Sequence, residues 1–312
     1  MNLRKRKNKK NKFLKRGLVL VILVIGAAAL YKGYKQYNTK KVQANETVAA
    51  HKVKVKNNKK ITNKEEKKKN VIENKWNNVN EEGQKYTYDA AKVKDIINKK
   101  VSNDGKKVVF LTFDDGPSLT VTPKILDTLK QYNVKATFSL VGKEINVSEG
   151  SRNLVKRIYN EGNAIANHTY SHNMGILYPQ NKTNVDGFIN EVDETNNIIK
   201  GILGQGFNTR VVRMPGGYMS RTYYHDPNLP QLDAKLNERG IYNIDWNASD
   251  FDSEGKKKNA AELIEEVKKS AGSQEKVIVL MHDTYGKEEV AKALPQIIEY
   301  FKNQGYEFRT IS

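Results

Sequence analysis

The chain has 312 residues and contains no cysteine. This absence excludes a disulfide scaffold, a thiol nucleophile, an iron–sulfur cluster and a zinc site built from thiolates. Any metal ion must therefore be held by histidine, aspartate or glutamate. The length allows one large hydrophobic core with additional segments, or two small domains.

Acidic residues are scarce in the first third of the chain and plentiful afterwards. The formal net charge is +19, but residues 1–107 contain 30 basic and 9 acidic residues, whereas residues 108–312 contain 24 and 26. A strongly basic domain would point to nucleic acid or an acidic surface as the partner. Because the later part is nearly neutral, the sequence predicts no nucleic-acid partner.

The N-terminus combines a basic segment with an apolar one. Residues 1–16 carry nine positive charges and no acid, and residues 17–31 are uncharged and mostly apolar. Basic residues before a hydrophobic segment stay in the cytoplasm, so export of the remainder is expected. The apolar run spans about 22 Å, less than a ~30 Å hydrocarbon core, but flanking lysine and arginine side chains can snorkel. We predict a single-pass signal anchor at 17–31, with a cleaved signal peptide and secretion as the alternative.

A segment rich in lysine and asparagine, residues 32–85, follows the apolar run. It has too few apolar side chains to offset the entropy of ordering, so we predict a disordered stalk. One interpretation is electrostatic contact with anionic wall polymers or lipid headgroups, and the other is a plain spacer. Residues 86–107 are predicted to be a short lead-in with an amphipathic helix over 90–100.

From residue 108 onwards, strand and helix patterns alternate. Predicted strands cover 108–113, 136–141, 163–167, 209–212, 241–244, 277–281 and 306–310, and predicted helices cover 122–132, 152–160, 184–203, 231–239, 259–271 and 288–302. Thr122 is the predicted cap of the first of these helices, because Pro123 follows it. This alternation indicates one α/β domain at 108–312, as an open sheet or a barrel.

Polar side chains stand at the ends of the predicted strands. They are Asp114 and Asp115 after the first, His168 and His172 after the third, Arg213 after the fourth, Asp245, Asp250 and Asp252 after the fifth, and His282 and Asp283 after the sixth. Since active sites of parallel α/β folds lie at the carboxyl ends of the strands, these residues are expected to meet. His168, His172 and one carboxylate would make a three-ligand site, with Zn²⁺ as its natural occupant. The second carboxylate would then take a proton from water, and His282 is placed to protonate a leaving group.

Four ordered motifs resemble those of the polysaccharide deacetylase family, the NodB-homology group that forms the fourth family of carbohydrate esterases. They are TFDDGP at 112–117, HTYSH at 168–172, RMPGG at 213–217 and LMH at 280–282. The resemblance covers about 108–312. It implies a distorted, incomplete (β/α) barrel, consistent with the seven predicted strands.

The resemblance also implies roles for individual residues. Asp114 would be the general base, positioned by Arg213, and His282 the general acid. The metal ligands would be Asp115, His168 and His172. The oxyanion would be held by the metal and the Gly216 N–H, beside Pro215, while Leu280 would line the pocket for the acetyl methyl group. The family often has tyrosine where Gly216 stands, and Tyr218 is the candidate replacement for that aromatic wall.

The segment after the fifth strand departs from the family pattern. Many members have an Asp-Trp pair there, whose aspartate orients the acid histidine and whose tryptophan lines the cleft. In this chain Asp252 is followed by Ser253. Asp252 is the predicted partner of His282, with Asp250 as the alternative, and Trp246 is the predicted aromatic lining of the cleft.

Together these features predict a metal-dependent N-deacetylase of an acetylated amino-sugar polymer, outside the cytoplasm and attached to the cell membrane. Peptidoglycan N-acetylglucosamine is the expected substrate and Zn²⁺ the expected metal, with Co²⁺ or another borderline ion as alternatives. The other substrates considered are exported poly-N-acetylglucosamine, chitin-type oligomers and O-acetyl xylan. A non-catalytic glycan-binding module is the alternative from another class.

Overall fold

The structure, a computed structural model, describes residues 78–312. The predictions for the basic segment 1–16, the apolar segment 17–31 and most of the stalk at 32–85 lie outside the described residues. Between residues 78 and 312, no helix has both the length and the apolar character needed to cross a membrane.

Ten strands and ten α-helices follow one another in the described part of the chain. The strands are β1 (Thr87–Tyr88), β2 (Val108–Gly116), β3 (Thr137–Leu140), β4 (Ala164–Asn167), β5 (Val211–Val212), β6 (Tyr242–Asn243), β7 (Ala248–Ser249), β8 (Lys276–His282), β9 (Glu307–Phe308) and β10 (Thr310–Ile311). The helices are α1 (Ala90–Ile97), α2 (Thr122–Gln131), α3 (Gly142–Asn146), α4 (Glu149–Asn160), α5 (Met174–Leu177), α6 (Val185–Leu203), α7 (Tyr218–Tyr223), α8 (Leu229–Glu238), α9 (Ala260–Ala271) and α10 (Glu288–Asn303). Two short 3₁₀ turns occupy Gly83–Tyr86 and Pro179–Asn181.

The main sheet is parallel and has the strand order β6-β5-β4-β3-β2-β8-β7, with β9 beside β2. The outermost strands β6 and β7 are consecutive in the chain and joined by only four residues, 244–247. A sheet whose two edges are so closely linked must curve, yet within residues 78–312 these edges do not pair. The predicted α/β architecture of about seven strands is confirmed as a half-barrel.

The strands differ from the prediction in two ways. The two-residue strands β1 and β7 were not predicted, because such short segments have no readable periodicity. The single strand predicted at 306–310 is two short strands: β9 pairs with β2 and β10 pairs with β1. The Arg309 N–H donates to the Val109 carbonyl between them.

Alternation along β2 sorts its side chains between two environments. Val109, Leu111 and Phe113 belong to the large core formed with the outer helices. Val108 and Phe110 belong to a separate inner cluster together with α1. Because side chains on one face recur every second residue, Thr112 and Asp114 continue that inner face. The inside of the half-barrel is therefore apolar toward the amino ends of the strands and polar at their carboxyl ends.

Two predictions at helix ends are corrected. Thr122 does not cap α2: it is the first helical residue, Val121 precedes it without a side-chain cap, and the Ser118 hydroxyl accepts the Val121 N–H at 3.0 Å. The Thr122 hydroxyl instead donates to Asp283 at 2.6 Å. Helix α1 starts at Ala90 as predicted but ends at Ile97 rather than 100, and Lys99 has a φ of 55° that no helix accommodates.

Replacing Gly116 with alanine tests how closely the turn after β2 is packed. A Cβ at this position would lie 2.6 Å from Cγ of the buried Asp283, whose carboxylate is held by Thr122. We expect Gly116→Ala to lower the free energy of unfolding by about 1–3 kcal/mol, as other overpacking substitutions do. Urea unfolding of the full chain measures this. As a control, Gly201→Ala in α6 meets nothing within 4 Å and should be neutral or stabilising by up to about 1 kcal/mol. Equal effects of the two substitutions would contradict the packing argument.

Candidate active site

Three side chains converge at the carboxyl end of the sheet. Oδ1 of Asp115 lies 3.2 Å from Nε2 of His168 and 3.2 Å from Nε2 of His172. One donor atom from each residue lies within 4.8 Å of the other two. This Asp/His/His set is the one that the sequence motifs predicted, and the structure brings it together from the ends of β2 and β4.

The geometry of this set fits a divalent cation. Two ligands bonded at ~2.0–2.1 Å to one tetrahedral ion are themselves about 3.4 Å apart, close to the spacings observed here. Nδ1 of His168 lies 2.7 Å from the Arg213 carbonyl, which favours the tautomer with the proton on Nδ1 and leaves Nε2 free to ligate. Burial alone would raise the pKa of Asp115, but the hydrogen bond from His168 and the charges of both histidines hold it below its ordinary value.

The loops that carry the ligands are strained. Asp115 and His172 have φ values of 71° and 51°, in the left-handed region that side chains other than glycine rarely adopt. Such strain persists where the surroundings enforce it, commonly at functional sites. In the loop that carries His172, Glu191 of α6 holds the backbone in place. Its carboxylate accepts the Tyr170 and Ser171 N–H groups and the Ser171 hydroxyl. The sequence motifs gave no indication of Glu191.

A buried ion pair adjoins the ligand set. Nη1 of Arg213 lies 3.2 Å from Oδ2 of Asp114, and both side chains are almost inaccessible to solvent. The same nitrogen donates to the Thr112 hydroxyl at 3.0 Å, and Nε donates to the Ile244 carbonyl at 2.8 Å. Oδ2 of Asp114 is 3.9 Å from Nε2 of His168. The Asp114 carboxylate is therefore fixed in orientation beside the ligand set.

On another side of the ligand set stands a histidine–carboxylate pair. Nδ1 of His282, the last residue of β8, lies 2.6 Å from Oδ1 of Asp252. Its Nε2 lies 3.9 Å from Oδ2 of Asp115, so the free ring nitrogen faces the ligand set. Burial alone would lower the pKa of His282, but the hydrogen bond and charge of Asp252 raise it to about 9.

The contact with His282 is made by Asp252 rather than by Asp250, the alternative considered from sequence. The Asp250 carboxylate accepts the Asp252 N–H at 3.1 Å and is fully buried. Burial, and then the neighbouring charge of Asp252, raise the pKa of Asp250 well above its ordinary value. Asp250 thus supports the loop that carries Asp252.

The residues predicted to line the cleft differ in their exposure and in their contacts. Gly216 is exposed, and in the described part of the chain its N–H has no acceptor, so it is available to a ligand. Pro215 is buried beside it, and Leu280 lies two residues before His282, hence on the same face of β8. Trp246 contacts the Arg213 guanidinium, 5.5 Å from the ring centroid, and packs closely against Gly217.

The Tyr218 side chain, predicted to replace an aromatic wall, makes contacts away from the ligand set. Its hydroxyl donates to Asp233 of α8 at 2.6 Å, and the ammonium group of Lys94 lies 4.8 Å from its ring. These contacts occupy the Tyr218 side chain, and none of them involves a residue of the ligand set. Its backbone N–H donates to Asp245, which also accepts the Met219 N–H and so fixes the start of α7. Sequence analysis placed Asp245 after the fifth strand but assigned it no role, because these backbone contacts arise only in the folded chain.

A second residue without an assigned role is Asp283, which follows His282. Its carboxylate accepts from Thr122, its carbonyl accepts from the Ser118 hydroxyl, and its N–H donates to the Asp114 carbonyl. Burial raises the pKa of Asp283 to about 7. Asp283 joins the ends of β2 and β8 to the start of α2, a contact that its position after the LMH motif does not by itself predict.

Comparison with known proteins agrees with this site. A family model described as polysaccharide deacetylase matches residues 101–229. A peptidoglycan-N-acetylglucosamine deacetylase of Bacillus cereus is 35% identical over 209 residues, 66% of this chain and 67% of the relative. A bifunctional xylanase/deacetylase of Pseudobutyrivibrio xylanivorans is 34% identical over 69% of this chain, but the match spans only 31% of that longer protein.

Solved structures give the same result. A CE4 esterase of Streptococcus mutans superposes with a TM-score of 0.68 at 37% identity, over 75% of this chain and 96% of that one. The chain belongs to the polysaccharide deacetylase family and is an enzyme of that class. The family resemblance seen in the sequence motifs is confirmed, whereas the roles of the individual residues remain predictions.

Replacing Asp252 with asparagine tests the histidine–carboxylate pair. Asparagine retains a hydrogen-bond acceptor but lacks the charge that stabilises the imidazolium, so burial should then dominate and lower the pKa. We expect the pKa of His282 in metal-free Asp252→Asn to fall from about 9 to 6.5 or below. NMR titration of the imidazole resonances measures this, with exposed His225 as the internal reference. A pKa that stays near 9 would show that Asp252 is not its main cause.

Proposed function

We propose that this protein removes N-acetyl groups from the amino sugars of a cell-envelope polysaccharide, namely N-acetylglucosamine residues of peptidoglycan. The observation that carries the proposal is the Asp115/His168/His172 set, with a buried carboxylate on one side and a histidine that faces it on another. The name of the Bacillus cereus relative supports the choice of polymer.

We propose Zn²⁺ as the metal, held by Asp115, His168 and His172. Two imidazole nitrogens and one carboxylate oxygen, without thiolates, suit zinc and leave a position open for reactants. The cation would supply Lewis-acid polarisation of water and of the acetyl carbonyl oxygen. Co²⁺ is an alternative that the same donors would accept.

Asp114 would act as the general base. Its carboxylate is buried, fixed by Arg213, and close to the ligand set, so it can take a proton from the attacking water. Its neighbour Asp115 is engaged by both histidines and is therefore unavailable for that task. The two adjacent aspartates thus divide ligation and proton transfer between them.

His282 would act as the general acid. With a pKa of about 9 in the metal-free protein it carries a proton at neutral pH, and its Nε2 faces the ligand set. Loss of the amine breaks the C–N bond, and the nitrogen must gain a proton because a free amide anion is a very poor leaving group. The unoccupied Gly216 N–H is available to donate to the oxyanion that develops on the carbonyl oxygen.

Release of free amine tests the function. The full chain, purified in detergent and supplied with Zn²⁺, is incubated with peptidoglycan, N-acetylglucosamine oligomers and acetyl xylan. We expect amine release from peptidoglycan, lost by 10²–10⁴-fold in Asp114→Asn, which lacks the base. His168→Ala should lose both activity and zinc, measured by calorimetry, whereas the matched control His225→Ala should retain both. Glycan binding without any release would sink the catalytic proposal, and preference for xylan would change the substrate.

We also propose that the catalytic part lies outside the cytoplasm, anchored by residues 17–31. The support is the basic segment followed by an uncharged apolar run in the sequence. A protease that does not cross membranes, added to intact wall-stripped cells, should digest residues 108–312 and spare a cytoplasmic marker. Deletion of residues 1–31 should make the domain resistant. Resistance of the full chain until lysis would contradict the proposal.

A further inference from the structure

Lys287 lies behind the His282–Asp252 pair. It directly precedes α10, five residues after the end of β8. Its ammonium group lies 3.1 Å from Oδ2 of Asp252 and donates to the Asp252 carbonyl at 2.9 Å and to the Ser253 hydroxyl at 2.7 Å. One cation thereby contacts three oxygen atoms of two consecutive residues.

These contacts divide the Asp252 carboxylate between two partners. Oδ1 engages Nδ1 of His282 at 2.6 Å, while Oδ2 faces Lys287. The Asp252 side chain is only 4% exposed, so water cannot readily take the place of either partner. The Ser253 hydroxyl lies between Lys287 and His282, 3.3 Å from Nδ1. The carboxylate can rotate away from His282 only by breaking the contact with Lys287.

Neighbouring lysines do not duplicate this arrangement. Lys258 donates to the carbonyls of Phe251 and Glu254, so it supports the loop without touching the carboxylate. Lys256 pairs with Glu262 on the surface. Lys257 is exposed and, among residues 78–312, has no salt-bridge or hydrogen-bond partner. Lys287 is the lysine that contacts Asp252, and it lies in the loop that leads out of the His282 strand.

We propose that Lys287 is a positioning residue for the reaction: it holds Asp252 in the orientation that directs Nε2 of His282 at the leaving nitrogen. The inference rests on the proposed role of His282. In that step the C–N bond breaks, its electron pair passes to nitrogen, and the Nε2 proton of His282 moves to that nitrogen. Lys287 keeps its protons and does not touch substrate.

The test exploits the dependence of each reaction on a proton donor. Loss of the amine requires protonation, whereas 4-nitrophenyl acetate expels a stable phenolate that does not. Lys287→Met removes the ammonium group and keeps an apolar stem of similar length. We expect kcat for the N-acetyl oligomer to fall about 10- to 100-fold with KM within about twofold, because a displaced acid affects the chemical step. The loss for the aryl ester should be far smaller, and the matched control Lys257→Met should resemble the wild type on both substrates.

The outcomes separate this inference from the function itself. Equal losses on amide and ester would mean that Lys287 only supports the fold, and unchanged amide turnover would also overturn the proposal. A wild-type protein that cleaves the ester but never releases amine would refute the deacetylase function instead. NMR provides a readout independent of turnover. The 2.6 Å contact with Asp252 predicts a sharp, downfield Nδ1–H resonance of His282 in the metal-free wild type, and this resonance should broaden in Lys287→Met. An unchanged resonance would overturn the positioning role.

Discussion

The register between β2 and β8 is the constraint on which the site depends. Parallel pairing sets Thr112 opposite Leu280 and Asp114 opposite His282, so a base and an acid candidate stand side by side on the inner face. A shift of β8 by one residue would turn Leu280 and His282 toward the outer helices and away from Asp114. The apolar residues below, Phe110 and Ile278, lock that register by packing with α1. The fold therefore places the candidate base and acid through the burial of apolar residues below them.

Three carboxylates of this region are each held by basic side chains that also set their orientation. Arg213 balances Asp114, the two histidines balance Asp115, and Lys287 with His282 balances Asp252. Burial without these partners would neutralise the carboxylates, as the raised pKa of Asp283 shows. Because desolvation is costly, removal of one partner should cost more than the pair itself contributes to stability. The contacts that orient these carboxylates consequently also stabilise the fold.

The sequence indicated which side chains meet at the carboxyl end of the sheet more accurately than it indicated the bounds of the helices and strands around them. Asp114, Asp115, His168, His172, Arg213 and His282 could be found because parallel strands end at one edge and few polar residues stand there. Helix and strand bounds shifted by a few residues where caps and two-residue strands carry no periodicity. Glu191 and Lys287 were not among the candidates, and Asp245 and Asp283 were given no role, since the contacts of all four join segments distant in sequence. The position of Tyr218 along the chain likewise does not show that its hydroxyl meets Asp233.

The loop after β7 shows how the spacing of residues in the sequence differs from their contacts in the folded chain. Its Asp252 could be proposed from spacing, but its function depends on three elements that meet only in the folded chain: β8 supplies His282, the loop before α10 supplies Lys287, and Asp250 supports the backbone. Ser253, which departs from the Asp-Trp pattern, is a polar residue that joins His282 and Lys287 through its hydroxyl. A bulky aromatic side chain at that position could not make these hydrogen bonds. The departure in sequence is thus matched by a local polar network, in which Ser253 contacts both His282 and the lysine that holds Asp252.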